Sequence, residues 1–319
     1  MAKALVRKSR RVLLRAHGCD KERRRLQTLE QRGEVCRLSP GAYVPNHMGK
    51  EAAARPVMSW WGSKRGLVRE LVNLIVSVVQ KTKAPVVISP FTGGGIVEQT
   101  LQSQGIPVRA SDGDPMVAAV HSTLRRASKR QLACLGFSRF LQKLKHKDAK
   151  ERFKSDVKRL VGKRRLSATE VGQLLAAKKV SFREHLTKAS TLMEDRVHAV
   201  NLENEMRRLR EYRGFMVSCQ DFERSIASAP KNAVLFIDPP YLLEKREGQY
   251  VAGDFLWEDH VRLAEALRGR HFVLTHQNDR RIAGLYDWAT ERIISKQIMT
   301  INRAEKLDRR ELIIVNVAL

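Results

Sequence analysis

Between Ala233 and Tyr241 the chain reads Ala-Val-Leu-Phe-Ile-Asp-Pro-Pro-Tyr, and no other stretch restricts the fold as much. A short apolar run bounded by turn residues fits a strand buried on both faces, as in a parallel sheet. Pro239 and Pro240 cannot donate to a ladder, so the strand must stop there. Asp238 and Tyr241 are thereby presented at the carboxyl end of a buried strand, the edge of an open α/β sheet where ligands bind. The bland alternative is a Pro-Pro turn in which Asp238 merely caps the next segment.

The chemistry of that tip is specific. The Asp238 carboxylate and the Pro239 carbonyl are two acceptors on one rigid turn, suited to an amino group with two hydrogens to give. Tyr241 adds a flat face for a ring. An aromatic amine such as adenine N6 is the natural guest, poised to attack a methyl group in line.

Two other segments read as parts of the same edge. Val86 to Ser89 is a strand, Pro90-Phe91-Thr92-Gly93-Gly94-Gly95 a turn, and Ile96 onward a helix. Glycines there let the backbone pass close to a ligand. There is no Gly-Lys-Ser/Thr and no complete GxGxxG, and an ordinary tight turn is the competing reading. About twenty residues on, Val108 to Asp112 ends in acid, the place where ribose hydroxyls are usually gripped. Asp112 is the choice and Asp114 the alternate; either of them also suits a cap for the helix starting at Pro115. Further strands are expected at 214–219, ending near Asp221, at 271–278, ending in polar residues, and as a terminal pair at 288–295 and 310–317, the last antiparallel. With the strand before Asp238 these make seven.

Ahead of the sheet, Trp60-Trp61-Gly62-Ser63-Lys64 precedes a helix with an apolar face from Leu67 to Val79. Ser63 is a candidate cap, and the amino end near Lys64 a candidate seat for a carboxylate or phosphate. A Trp pair plugging a domain seam is an equal alternative.

Composition sets the partner. The 319 residues carry a net charge of +26, and so positive a surface calls for a polyanion, nucleic acid by default. Residues 120–213 look helical, and between Arg125 and Arg165 there are 16 Lys/Arg against 3 Asp/Glu. This region is read as an inserted, basic target-recognition subdomain, with Phe137, Phe140 and Phe153 as its own core and 194–213 as one charge-mixed helix. Residues 1–55 are read as a basic arm, partly helical, on a loose linker at Ser39 to Asn46; the Arg-rich start also resembles an organelle transit peptide. No run of about 18 apolar residues is present, so no membrane span is expected. Cys19, Cys36, Cys134 and Cys219 are scattered and read as reduced thiols of an intracellular protein, and the histidines form no ligand cluster, so no metal is expected.

Taken together, these motifs resemble the D12 class of N6-adenine DNA methyltransferases, the Dam-like enzymes, over roughly residues 57 to 317 apart from the helical insert. Trp60, Gly62 and Lys64 match that family's Trp-x-Gly-x-Lys element, Phe91, Gly93 and Gly95 its Phe-x-Gly-x-Gly loop, Asp112 its ribose-binding acid, Asp221 the acid near the cofactor's adenine, and Asp238, Pro239, Pro240 and Tyr241 its catalytic tetrapeptide. Glu311-Leu312-Ile313-Ile314 resembles its last strand. The resemblance implies a Rossmann-like α/β sheet of seven strands, divided between residues 56–119 and 214–319. It implies S-adenosyl-L-methionine as methyl donor, with Trp60, Lys64, Phe91, Gly93, Gly95, Asp112 and Asp221 around it. It also implies strands one and four side by side, and double-stranded DNA as partner with the target base flipped out. A monomer acting in a bacterial or phage-infected cytoplasm, in restriction-modification or a related role, is the expected setting. The Asn/Arg/Tyr-rich hairpin of Dam-type enzymes is missing, so their target sequence is not carried over. An RNA adenine-N6 methyltransferase and a non-catalytic nucleic-acid binder on the same scaffold are the alternatives; a cytosine-N4 enzyme usually has Ser where Asp238 stands.

Overall fold

The computed structural model describes residues 14–15, 20–39, 42–48, 64–146, 148–161, 163–181, 191–212, 214–242, 255–295 and 311–317. Its centre is a seven-stranded sheet built from β4 (Val87–Ser89), β5 (Val108–Asp112), β6 (Val217–Cys219), β7 (Val234–Ile237), β8 (His271–Gln277), β9 (Glu291–Ile294) and β10 (Glu311–Asn316), in the order β6-β5-β4-β7-β8-β10-β9. The first five of these in spatial order are parallel. β10 is antiparallel to both β8 and β9, in line with the expected terminal pair.

The apolar run ahead of Asp238 explains itself in this setting. Val234 and Phe236 join one core, and Leu235 and Ile237 the other, because successive side chains of a strand point to opposite faces. The first core is closed by α2 (Val68–Thr82) and α3 (Ile96–Ser103), and the second by α10 (Phe222–Ala227), α11 (Trp257–Ala266) and α12 (Arg280–Leu285). With helices on both faces, β7 has no polar side to show, and all four of its residues are buried.

The expected loose linker is in fact structured. Residues 14–45 form a small three-stranded antiparallel sheet of β1 (Leu14–Arg15), β2 (Val35–Ser39) and β3 (Ala42–Pro45), order β1-β3-β2, covered by α1 (Asp20–Gln31). β2 and β3 pair on either side of Pro40 and Gly41, which lie outside the described residues. The unit is fastened to α2 through fully buried Asn73, whose Oδ1 accepts from the backbone N–H of His47 (2.6 Å) and Met48 (3.1 Å).

The insert is helical, as its composition indicates: a π-helical segment Gln131–Ser138 runs into α5 (Arg139–Lys143), followed by α6 (Ala149–Leu160), α7 (Ala168–Val180), α8 (Glu194–Ala199) and α9 (Leu202–Glu211). Phe137, Phe140 and Phe153 are buried in its own core, so none of them is free to touch a base. Two details differ from expectation. The single helix over 194–213 is two, because Asn201 caps a fresh start by accepting from the Asn204 N–H at 3.0 Å. The boundary at 119/120 falls inside α4 (Pro115–Arg126), which belongs to both parts: Ala118 packs on β5 and β6, and Met116, Ala119, Val120 and Leu124 enter the insert's core. Among the described residues no helix is long and apolar enough to cross a membrane.

Candidate active site

The order of the sheet reverses between β4 and β7, which lie side by side with Val87 opposite Val234 and Ile88 opposite Leu235. The crevice of such a sheet lies beyond the carboxyl ends of the strands at that reversal. The turn after β4 and the turn after β7 are the two glycine- and proline-rich segments singled out above.

The first turn is held by β5. Asp112 accepts from the Gly93 N–H through Oδ2 and from the Asp114 N–H through Oδ1, both at 2.8 Å, and the Thr92 hydroxyl donates to the Ser111 carbonyl at 2.8 Å. Asp114 is the cap of α4, accepting from the Met116 N–H at 2.8 Å with Pro115 at the first helical position. Asp112 is therefore the acid at the edge. Burial pushes its carboxyl up to about 7, against the pull of its backbone donors. Gly93 and Gly95 have φ of 47° and 70°, and a Cβ at Gly95 would lie 2.5 Å from the Phe215 ring.

Two residues under this turn escape a reading of the sequence. His121 is buried beneath it: Nε2 donates to the Gly93 carbonyl at 2.8 Å, and Nδ1 accepts from the Tyr212 hydroxyl at 2.9 Å. The carbonyl can only accept, which fixes that tautomer, and burial drives the imidazole down to about 4, so it is neutral. Glu98, also buried, accepts from the Ser89 hydroxyl at 2.6 Å and is pushed up to about 8 by burial. A lone His or Glu within an apolar helical pattern reads as core, and nothing local distinguishes either one.

At the second turn Asp238 and Tyr241 meet a partner that the sequence does not show. Lys64 is almost wholly buried, and its Nζ lies 2.7 Å from Asp238 Oδ1, 3.0 Å from the Tyr241 hydroxyl and 3.8 Å from Glu311 Oε2. The Tyr241 hydroxyl in turn donates to both Glu311 oxygens, at 2.6 and 2.7 Å. Burial pulls the Lys64 ammonium down, but Asp238, Tyr241 and Glu311 outweigh it and hold it well above its ordinary value. Burial raises the Asp238 and Glu311 carboxyls, with Lys64 opposing in each case. The anion seat expected at Lys64 is thus taken by the protein's own carboxylates. The cap expected at Ser63 is replaced as well: α2 starts at Val68 with Leu67 at its N-cap.

β8 templates the same turn with three successive residues. Thr275 donates to Asp238 Oδ1 (2.9 Å), His276 Nε2 accepts from the Leu242 N–H (3.4 Å), and Gln277 Nε2 donates to the Leu242 carbonyl (2.9 Å). Both contacts on the Asp238 carboxylate, Lys64 and Thr275, fall on Oδ1. Among the described residues no contact falls on Oδ2.

Beside these turns Phe91 stacks on Phe222 with centroids 5.6 Å apart, and Phe255 meets both edge-on or tilted at 5.7 and 5.6 Å. Asp221 lies two residues beyond Cys219, the β6 partner of Asp112. Its Oδ1 accepts from the Glu223 N–H at 2.8 Å, and its side chain stays exposed, 4.0 Å from Arg262. The structure therefore gathers Lys64, Asp238 and Tyr241 into one cluster and Phe91, Gly93, Gly95 and Asp112 into a second on the adjacent strand, with Asp221 on the next edge. Trp60 lies outside the described residues, as do Trp61, Gly62 and Ser63.

Among the described residues, Lys64 is one cation beside the carboxyls of Asp238, Glu311 and Asp112, whereas Glu98, pushed up to about 8, is mostly neutral. In a chain of net charge +26 the carboxyl edge of the sheet is a local acidic basin, suited to a cationic ligand.

A parallel sheet reversed at β4/β7 and closed by an antiparallel β10 is the Rossmann-like fold of methyltransferases. The chain belongs to the D12 class N6 adenine-specific DNA methyltransferase family, whose sequence model matches residues 60–301. A search of curated proteins returned no match.

Proposed function

We propose that the chain transfers a methyl group from S-adenosylmethionine to N6 of an adenine flipped out of double-stranded DNA. The observation that carries this reading is the Asp238 carboxylate with Oδ1 fixed by Lys64 and Thr275, one strand away from the Gly93–Asp112 turn. The residues present suit the donor: the acidic basin fits a sulfonium cation, Gly93 and Gly94 leave the turn's backbone uncovered by side chains, and Asp112 is an acceptor for ribose hydroxyls. Phe91, Phe222 and Asp221 form the edge that takes its adenine. When bound, the donor supplies an electrophilic methyl group. The chain does the rest: Asp238 and the Pro239 carbonyl hold the amine, and half-buried Tyr241, anchored by its hydroxyl, offers its ring to the base. Transfer of labelled methyl from the donor to duplex DNA, with RNA as competitor, tests the reading; label passing to RNA alone, or to neither, refutes it.

The acidic basin gives the reaction a pH signature. A cationic ligand favours ionised carboxyls, so donor affinity is expected to rise by about tenfold as pH climbs from below to above the Asp112 value of about 7. Calorimetry in buffers of different ionisation enthalpy should show proton release on binding near neutral pH. An affinity that is flat or falls with pH contradicts this.

The insert supplies the DNA contact. α6 buries Ala149, Phe153, Val157 and Leu160 and exposes Lys150, Arg152, Lys154, Lys158 and Arg159. Lys150, Lys154 and Arg159 pair with acids of the chain, whereas Arg152 and Lys158 make no ion pair with a described residue. Arg152→Glu with Lys158→Glu should weaken DNA binding uniformly across sequences and lower the salt slope by about one to two. Titrations at several salt concentrations measure this, and an unchanged slope removes α6 from the interface.

A further inference from the structure

Methyl transfer to an amine leaves a proton to dispose of. The amine nitrogen uses its lone pair for the new N–C bond, the electron pair of the broken C–S bond stays on sulfur, and the nitrogen is left cationic with one proton too many. Asp238, holding that amine, is the nearest base. It cannot keep the proton and still accept from the next guest.

A route leads away from it. Asp238 Oδ1, Lys64 Nζ, the Tyr241 hydroxyl and the Glu311 carboxylate are linked by contacts of 2.7, 3.0 and 2.6 Å. Lys64 donates both to Asp238 Oδ1 and to the Tyr241 oxygen, and Tyr241 donates to Glu311, so the last two links already point toward Glu311. Glu311 is the first residue of β10, and its backbone is locked to Ser295, donating to the Ser295 hydroxyl oxygen at 2.8 Å and accepting from the Ser295 N–H at 2.7 Å. Among the described residues, Lys64, Tyr241 and, through Lys64, Asp238 are the charged or titratable groups it faces; His276 of β8 stands behind the Tyr241 ring at 5.0 Å. A carboxylate buried 70 residues away in sequence from the tyrosine it binds has no need of charge to close a sheet edge.

Resting on the methyltransferase reading, we propose that Glu311 receives the proton released by the methylated amine, relayed through Lys64 and Tyr241. As the N–C bond forms, Lys64 gives one of its protons to the Tyr241 oxygen and Tyr241 gives its hydroxyl proton to Glu311, and the amine so left on Lys64 has the lone pair to take the proton that Asp238 draws from nitrogen. Asp238 ends as carboxylate, Lys64 as ammonium, Tyr241 as phenol and Glu311 as neutral carboxyl, which returns its proton to solvent between turnovers. Burial, which raises the Glu311 carboxyl, suits it to accept. Glu311 touches no substrate and acts only through its neighbours.

The test compares the wild type with Glu311→Gln, which keeps an acceptor for Tyr241 but cannot take a proton. Single-turnover methyl transfer is followed in mixtures of light and heavy water. The wild type should slow in heavy water with a bowed dependence on deuterium content, since several protons move together. E311Q should be slower by about a hundredfold with a linear dependence, a loss in rate far larger than any loss in donor affinity. A readout independent of turnover is the thermal midpoint. A carboxyl raised in the folded state makes stability fall as pH rises through the carboxylate range, and E311Q should lose that part of the slope. E311Q at the wild-type rate, a straight wild-type dependence, or identical stability slopes would each overturn the proposal. The wild-type isotope measurement decides even if E311Q does not fold. A wild type that transfers no methyl group at all overturns the underlying reading; active wild type with E311Q keeping pace overturns this inference alone.

Discussion

Asp238→Asn is expected to lower methyl transfer by roughly a thousandfold while donor binding survives, because the change removes an acceptor at the reacting nitrogen and leaves the Gly93–Asp112 turn untouched. Asn keeps the shape and one carbonyl oxygen for Thr275, but its amide cannot balance Lys64. Glu311, 3.8 Å from Lys64, remains as counter-charge, so the fold holds. Asp238→Ala is the harsher variant. It leaves a buried ammonium short of its nearest partner, at a cost of about 3–5 kcal/mol by analogy with broken buried pairs. Rates of labelled transfer alongside donor calorimetry separate the two effects. A D238N variant working at the wild-type rate would remove Asp238 from the chemistry.

Gly95→Ala has the second largest expected effect, on stability and donor affinity together. The φ of 70° puts an alanine there in the left-handed region, at about 1–3 kcal/mol. Its Cβ would also stand 2.5 Å from the Phe215 ring and 3.1 Å from His121, which adds about 1–3 kcal/mol of overpacking or moves the turn. Either outcome displaces the backbone that Asp112 and His121 hold, so donor affinity should fall by about tenfold or more. Gly105→Ala is the matched control: its φ is 77°, but nothing lies within 4 Å of a Cβ there, so strain acts alone and far less should be lost. Thermal midpoints of the two variants resolve this, and equal losses would show that the Phe215 contact is immaterial.

Much of the candidate site is legible in the sequence because it rests on local rules. Two prolines end a strand wherever they occur, so Asp238 has to stand at a strand tip. Glycine at 93 and 95 signals backbone that no side chain tolerates, and both have positive φ. Asp114 before Pro115 suits a cap, and it is one. The insert's helicity follows from its composition, poor in Gly and Pro, and Phe137, Phe140 and Phe153 are buried in its own core as expected. The departures share a cause. Turn residues alone make Ser39 to Asn46 read as a linker, whereas β3 exists because β1 and β2 pair with it. The helix end alone makes Lys64 read as an anion seat, whereas its neighbours come from β10 and the turn after β7.

The sequence by itself determined where strands stop, where backbone must turn left-handed, and which region is basic, since each depends on residues a few positions apart. Tertiary structure alone decided which side chains meet. Lys64 reaches Tyr241 across 177 positions and His121 reaches Tyr212 across 91, because β4, β7, β8 and β10 are neighbours in the sheet and α4 runs beneath the first turn. A contact between groups far apart in the chain carries no local signature; it exists only once burial of apolar faces has fixed the order of the strands.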